Sequence, residues 1–195
     1  MTKEEHDREY RVVDQMISMH AYIAQRKKGQ ALWLSLGLLF ASTITCGFTF
    51  ADNATIRLLG IGPGRERLVM GITSMLLFGL SIVELRVDWG GTARAHADAY
   101  RRLSLLKAKY RHVHASQLPD KEPLWLELSK EYTDTMASVA EIPEKSFAKL
   151  KAHHHYKVEL SRMIDKHPGV PVILLATGLR TKAIWNYGRG KRSIS

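Results

Sequence analysis

From Gly29 to Ala51 the chain runs for 23 residues without a charge. A helix rises about 1.5 Å per residue and the hydrocarbon core of a bilayer is about 30 Å thick, so about 20 apolar residues cross it. Ala31 to Ala51 meets that length. The competing explanation is a buried core helix, but a chain of 195 residues has little material to cover such a helix on every side. A secretory leader fits poorly too, because the stretch starts 30 residues in and its apolar run is too long.

A second uncharged run, Leu68 to Val83, is 16 residues long. Leu85, Val87 and Trp89 extend it when Glu84 and Arg86 sit at the interface or snorkel. Asp52 to Arg67, with Gly60, Gly62, Pro63 and Gly64, supplies turn chemistry between the two. The expected unit is a helical hairpin with both chain ends on one side of the membrane. Arg11, Arg26, Lys27 and Lys28 precede the first span, and Arg86, Arg94, Arg101 and Arg102 follow the second. The loop carries only Arg57, Arg65 and Arg67. The positive-inside rule then favours cytoplasmic termini. Trp33 and Trp89 mark the inner headgroup level, and Phe48 and Phe50 lie near the far face.

The overall composition, 45% apolar and 25% charged, resembles a soluble protein's only because the apolar residues are unevenly placed. A single cysteine excludes an internal disulfide scaffold, and the frequency of Leu, Ile, Val and Phe excludes disorder. Outside the spans the pattern is helical throughout. Glu4 to Arg26 has Val12, Val13, Met16, Ile17 and Ile23 on one broad face. This helix either lies along the membrane or packs on later ones. After Gly90-Gly91, a hinge candidate, the residues Trp89, Ala93, His96, Tyr100, Leu103, Lys107 and Tyr110 form a heptad-like seam reaching about His114. Asp120 and Pro123 open a further helix with Leu124, Leu128, Tyr132, Met136 and Val139 on one face. Ile142-Pro143 breaks it, and another helix follows through Phe147, Leu150, His154 and Val158 to His167-Pro168-Gly169. Val170 to Leu179 is apolar but only half a span, so it is either a helix on the membrane surface or a core helix of the bundle. The expected fold is an all-α membrane protein, a two-span transmembrane helical hairpin with a cytoplasmic helical bundle. Residues 1–30 form an amphipathic N-terminal helix, 31–89 the hairpin, and 90–195 the bundle with a basic C-terminal tail.

Residues that announce chemistry are few. His153, His154 and His155 are consecutive, so on a helix they point about 100° apart and do not converge on one metal. No cysteine pair, phosphate-binding glycine loop or nucleophile elbow supports an enzyme, and no cofactor is expected. The spans carry a different signal. Ser35, Ser42, Thr45 and Thr49 share one face of the first, and Ser74, Ser81, Glu84 and Asp88 share one face of the second, both at spacings of 7, 3 and 4. Hydroxyl residues on a face either pack helices closely or line a wet pore, with Glu84 as an acidic ring at its inner mouth. Candidate pore-lining residues are therefore Ser35, Ser42, Thr45, Thr49, Ser74, Ser81 and Glu84. Arg26 or Arg86 is an alternative partner for Glu84. Two spans cannot enclose a channel, so a pore implies a homo-oligomer. Trp89, His96, Tyr100, Leu103 and Tyr110 are its candidate cytoplasmic seam. From Arg86 onward there are 20 Lys plus Arg against 11 Asp plus Glu. That surplus suits anionic lipid, with Arg26, Lys27, Lys28, Arg180 and Lys182 as candidate contacts, or a phosphate-bearing ligand. Aromatic interleaving for nucleic acid is weak, and no specific nucleic-acid binding is expected.

The layout resembles the SLATT family, two-transmembrane effector domains associated with nucleotide cyclases and sensor proteins in bacterial conflict systems. The likeness is carried by Gln25-Arg26-Lys27-Lys28 ending the first helix, by the paired spans, and by the continuation from Trp89 through His96 and Tyr100 to Leu103. Ile142-Pro143 before Phe147 and Leu150, and His167-Pro168 before the last segment, complete it. The resemblance implies an oligomeric effector of the bacterial inner membrane that permeabilises it and kills or arrests an infected cell. It also implies a trigger from a partner, a nucleotide second messenger or a sensor protein. It brings no catalytic residues. The alternative is a non-conducting membrane anchor or scaffold whose bundle recruits a cytoplasmic partner.

Overall fold

In a computed structural model, the described residues are 3–50, 65–116 and 122–181. Most of the expected inter-span loop, Asp120 at the expected helix start, Lys182 and the basic tail lie outside them. The described residues are helical with no strand. Among these residues six helices follow in order: α1 Lys3–Thr49, α2 Glu66–Val87, α3 Trp89–Ala115, α4 Glu122–Ser138, α5 Glu144–Lys166 and α6 Val172–Thr181. They divide into two compact units, Met1–Ala140 and Glu141–Ser195.

The expected amphipathic helix and first span are one helix. α1 passes residue 30 without a break and, at 47 residues, is about 70 Å long. No proline interrupts it, and single glycines are tolerated inside a helix that packs along its length. That packing follows a regular stripe. His6, Tyr10, Val13, Ile17, His20, Ala24 and Lys27 are covered at alternating spacings of 4 and 3. Ala31, Leu34, Leu38, Ala41, Thr45 and Phe48 continue the same phase into the apolar half. A 3.5-residue repeat is what holds one face of a helix against a partner over many turns.

The partner is α2 followed by α3. Contacts run in reverse order along the two: Glu9 meets Tyr110, Asp14 meets Lys107, His20 meets His96, and Ser35 meets Glu84. On α3 the buried line is Ala93, His96, Ala99, Leu103, Leu106, Tyr110 and Val113. It departs from the expected seam in two places. Tyr100 is exposed and Ala99 takes the inward position, while Leu106 replaces Lys107. Lys107 instead flanks the seam, with its ammonium 2.5 Å from Asp14 and over the Tyr10 ring. The core itself joins Val13 of α1, Leu103, Leu106, Tyr110 and Val113 of α3, and Leu128 of α4, with Trp125, Tyr132 and Met136 packed around it.

The second strand of this pair is broken at Asp88, not at the glycines that follow it. Asp88 adopts the left-handed conformation (φ 40°, ψ 56°) and belongs to both helix ends. Its amide donates to the Glu84 carbonyl, and its carboxylate accepts the Gly91 amide at 2.8 Å, capping α3. Gly90 and Gly91 lie in the first turn of α3. A Cβ on Gly91 would stand 2.0 Å from the Asp88 carboxylate, so the cap requires glycine there.

The second unit holds α5 and α6. Ser146 donates its amide to Pro143 at the start of α5, and His167 closes the helix on Met163 and Ile164. Gly169, at φ 99°, follows Pro168 in the arrangement of a type II turn, with the Val170 amide returning to the His167 carbonyl. α6 buries Leu175 and leaves Val172, Ile173 and Leu174 exposed.

Candidate functional site

Two features of the first unit carry functional chemistry: the uncovered apolar halves of α1 and α2, and the polar contacts that tie α1 to α2 and α3. None of the most apolar stretch of either long helix is buried. Trp33, Leu39 and Phe40 on α1 and Leu68, Met75, Phe78 and Leu85 on α2 are each well over half exposed. Between them, α1 and α2 cover one narrow seam. Leu34, Leu38, Ala41 and Thr45 face it from α1, and Met70, Thr73, Leu77 and Glu84 from α2.

The hydroxyl residues divide around that seam. Thr45 and Glu84 lie on it, while Ser35, Ser42, Thr49, Ser74 and Ser81 are exposed beside it. Most of these hydroxyls are satisfied by their own helix. Ser42 donates to Leu39, Thr45 to Ala41, Thr49 to Cys46 and Ser81 to Leu77, all to backbone carbonyls. Ser35 is different: its hydroxyl donates to the Glu84 carboxylate across the pair. That contact, and not Arg26 or Arg86, is the partner of Glu84 among the described residues.

Of the expected cytoplasmic seam, His96, Leu103 and Tyr110 are covered by this chain's own α1, and Trp89 is half-buried. Those three positions are therefore intramolecular, and Tyr100 alone remains on an outer face. Arg26 and Lys28 are exposed and Lys27 half-buried. Arg180 is exposed, with its guanidinium 5.9 Å from the Tyr156 ring centroid.

Two constellations have no counterpart in the sequence reading. The first is His20 with His96. Their Nδ1 atoms are 2.8 Å apart in a buried setting, so one ring donates a proton to the other. Desolvation lowers the pKa of His20 to about 4, with His96 adding to the effect. Desolvation also lowers that of His96, with help from the nearby Lys27 ammonium. His20 Nε2 is buried without a hydrogen-bond partner among the described residues. His96 falls on the seam legible in the sequence, but no local pattern picks out His20 as its partner.

The second is Glu9. Its carboxylate accepts the Tyr110 hydroxyl at 2.8 Å and the Ser129 hydroxyl at 2.9 Å, joining α1, α3 and α4. Burial, together with the hydrogen bond to Glu9, raises the Tyr110 pKa far above its usual range. His6 stacks on Trp125 beside it, ring centroids 4.3 Å apart. Nothing in the sequence separates Glu9 from its solvated acidic neighbours.

Compared with protein-family models, curated proteins and solved structures, the chain matches none.

Proposed function

We propose that the chain crosses the bacterial inner membrane as a two-span hairpin with both ends in the cytoplasm. Copies of it assemble there into an effector that permeabilises the membrane when triggered. The observation that carries this reading is the apolar surface of α1 and α2, which stays uncovered within the described residues of their own unit. Left in water, that area forgoes the gain of about 25 cal/mol per Å² that comes with removal from water, whereas insertion into hydrocarbon recovers it. The length of α1 fits the same division. Of about 70 Å, about 30 Å lies in the hydrocarbon and the rest forms the cytoplasmic half, where the charged ladder to α3 begins.

The single pair encloses no channel, because α1 and α2 touch along a seam. A conducting path is formed between copies, and the exposed hydroxyl residues beside that seam are available to line it. In one chain Ser35 occupies Glu84. Opening releases Glu84 toward the shared path, and the trigger, a nucleotide second messenger or a sensor partner, acts on the cytoplasmic helices as the SLATT resemblance implies.

One observation favours the second reading, a non-conducting anchor that recruits a cytoplasmic partner. Ser42, Thr45, Thr49 and Ser81 are satisfied by their own helices and need no water. Expression in bacteria, with dye release from proteoliposomes alongside, separates the two. In the effector reading Ser42→Leu, Ser81→Leu and Glu84→Leu combined abolish toxicity and release while the protein still inserts. Retained toxicity in an inserted triple variant overturns this pore lining and puts the anchor first.

A further inference from the structure

The antiparallel register brings together two sets of cations that lie far apart in sequence. Ser35 opposite Glu84 and His20 opposite His96 place Arg26, Lys27 and Lys28 of α1 level with the joint between α2 and α3. Arg86 precedes that joint and Arg94 follows it. Taken along the helix axis, all five lie within about 12 Å, where the uncharged stretches of both helices end. Lys27 stands close enough to His96 to depress its pKa, which places it at this level independently. Arg26, Lys28, Arg86 and Arg94 are exposed.

The carboxylates at this level are already engaged. Glu84 accepts from Ser35, and Asp88 accepts the Gly91 amide. Elsewhere in the unit, Lys107 and Lys109 hold Asp14 and Glu131 within ion-pair distance. Among the described residues none of the five belt cations has such a partner.

We propose that this belt is a binding site for the headgroup phosphates of anionic phospholipids, which bridge α1 to the Asp88 joint. The assignment rests on the membrane-spanning reading. Arginine matches phosphate oxygens with two parallel hydrogen bonds, and the excess positive charge selects lipids with net negative headgroups over zwitterionic ones. Binding at the joint holds α2 and α3 at one mutual angle, so anionic lipid stabilises one state of the pair.

The test uses full-length protein in vesicles of phosphatidylcholine and phosphatidylglycerol, with brominated chains on one lipid or the other. Trp33, 80% exposed at the inner end of the apolar stretch, reports the adjacent lipid by quenching. Brominated phosphatidylglycerol is expected to be about tenfold enriched at the protein over phosphatidylcholine. Combined replacement of Arg26, Lys28, Arg86 and Arg94 by Gln removes that preference and leaves quenching by phosphatidylcholine. The charge-preserving Arg→Lys variant at 26, 86 and 94 retains most of it, which separates loss of charge from misfolding. Equal quenching by both lipids in the wild type overturns the belt and leaves the membrane reading intact. Quenching by neither overturns both. Displacement of the preference by inorganic phosphate at matched ionic strength overturns the lipid assignment in favour of a soluble anion.

Discussion

Acid should loosen α1 from α3 at the His20–His96 pair, and the size of the effect follows from the depression of the His20 pKa by burial. Neither imidazole gains water or a carboxylate when charged, because the pair is buried and its charged neighbour is Lys27. His20 falls from 6.5 to about 4 on folding. The unfolded chain therefore binds the proton first as pH drops. Stability is full above about pH 6.5, declines as pH falls, and reaches its full loss below about pH 4. The complete loss from His20 is about 3 kcal/mol, and about 2 kcal/mol of it is felt at pH 5. His96 shifts in the same direction and adds to it. For a chain of this size, about 2 kcal/mol corresponds to a fall in Tm of about 4–8 °C.

The assay is thermal unfolding in detergent at pH 7.5 and pH 5.0, followed by tryptophan fluorescence, since Trp125 packs against the core between α1 and α3. Carboxylates titrate in the same range, so the informative quantity is the difference from a His20→Leu/His96→Leu double variant. That variant replaces the polar pair by apolar groups and has nothing to protonate at the site. It should show a pH loss smaller by about 4–8 °C. An equal loss in wild type and double variant would refute the assignment of acid sensitivity to this pair.

Three other substitutions probe the same scaffold. Gly91→Ala drives a Cβ into the Asp88 carboxylate and removes the cap of α3; a loss of about 1 kcal/mol is expected, read as a fall in Tm of about 2–4 °C, and an unchanged Tm would show that the cap contributes nothing. Tyr110→Phe removes a hydrogen bond to a partly buried carboxylate and should cost about 1–3 kcal/mol, measured by denaturant titration at pH 7.5; an unchanged midpoint would show that the bond contributes nothing. Leu103→Ala opens a cavity at a fully buried position between α1 and α3 and should cost about 2–5 kcal/mol in the same titration, whereas Leu105→Ala, exposed on the same helix, should change little.

The helices were legible because helix signals are local. Ile142-Pro143 and His167-Pro168-Gly169 stop helices by backbone geometry alone, and α5 lies between them. The unbroken passage of α1 through Gly29-Gln30 was not legible. A glycine only lowers helix propensity, and the covered stripe that overrides it depends on a partner tens of residues away. The seam on α3 could be read as a line, but a line of residues does not say what it faces. His96, Leu103 and Tyr110 turned out to face α1, whose own stripe is disguised by His6, His20 and Lys27. Charge hid Glu9 in the same way: its role comes from Tyr110 and Ser129, which no local pattern connects to it. Ser35 and Glu84 are both legible as polar positions on spans, yet their contact follows only from the register of the two helices.

Asp88 explains why this pair needs one break, and why it falls where it does. The covered positions Met70, Thr73, Leu77 and Glu84 of α2 follow one 3.5-residue repeat, and His96, Leu103 and Tyr110 of α3 follow another. Carried through Asp88 without interruption, the α2 repeat would bring Asp98 and Leu105 to the α1 side, with Arg101 and Arg102 at its edge. The first is charged, and all four are exposed as folded. A correction of about two residues is needed, roughly half a helical turn, and a single left-handed residue supplies it. α1 needs none, because its stripe keeps one phase throughout. The break also sits where the surroundings of the proposed hairpin change from hydrocarbon to water. There α2 must present apolar side chains outward while α3 presents charges. In the proposed hairpin, a rotation of α3 would reach α2 along the chain through this residue, and across the pair through α1, which packs on both. It acts on the His20–His96 contact on one side of the joint and on the Ser35–Glu84 contact on the other. In the proposed effector, Asp88 is then the joint through which movement of α3 would bear on the Ser35–Glu84 contact.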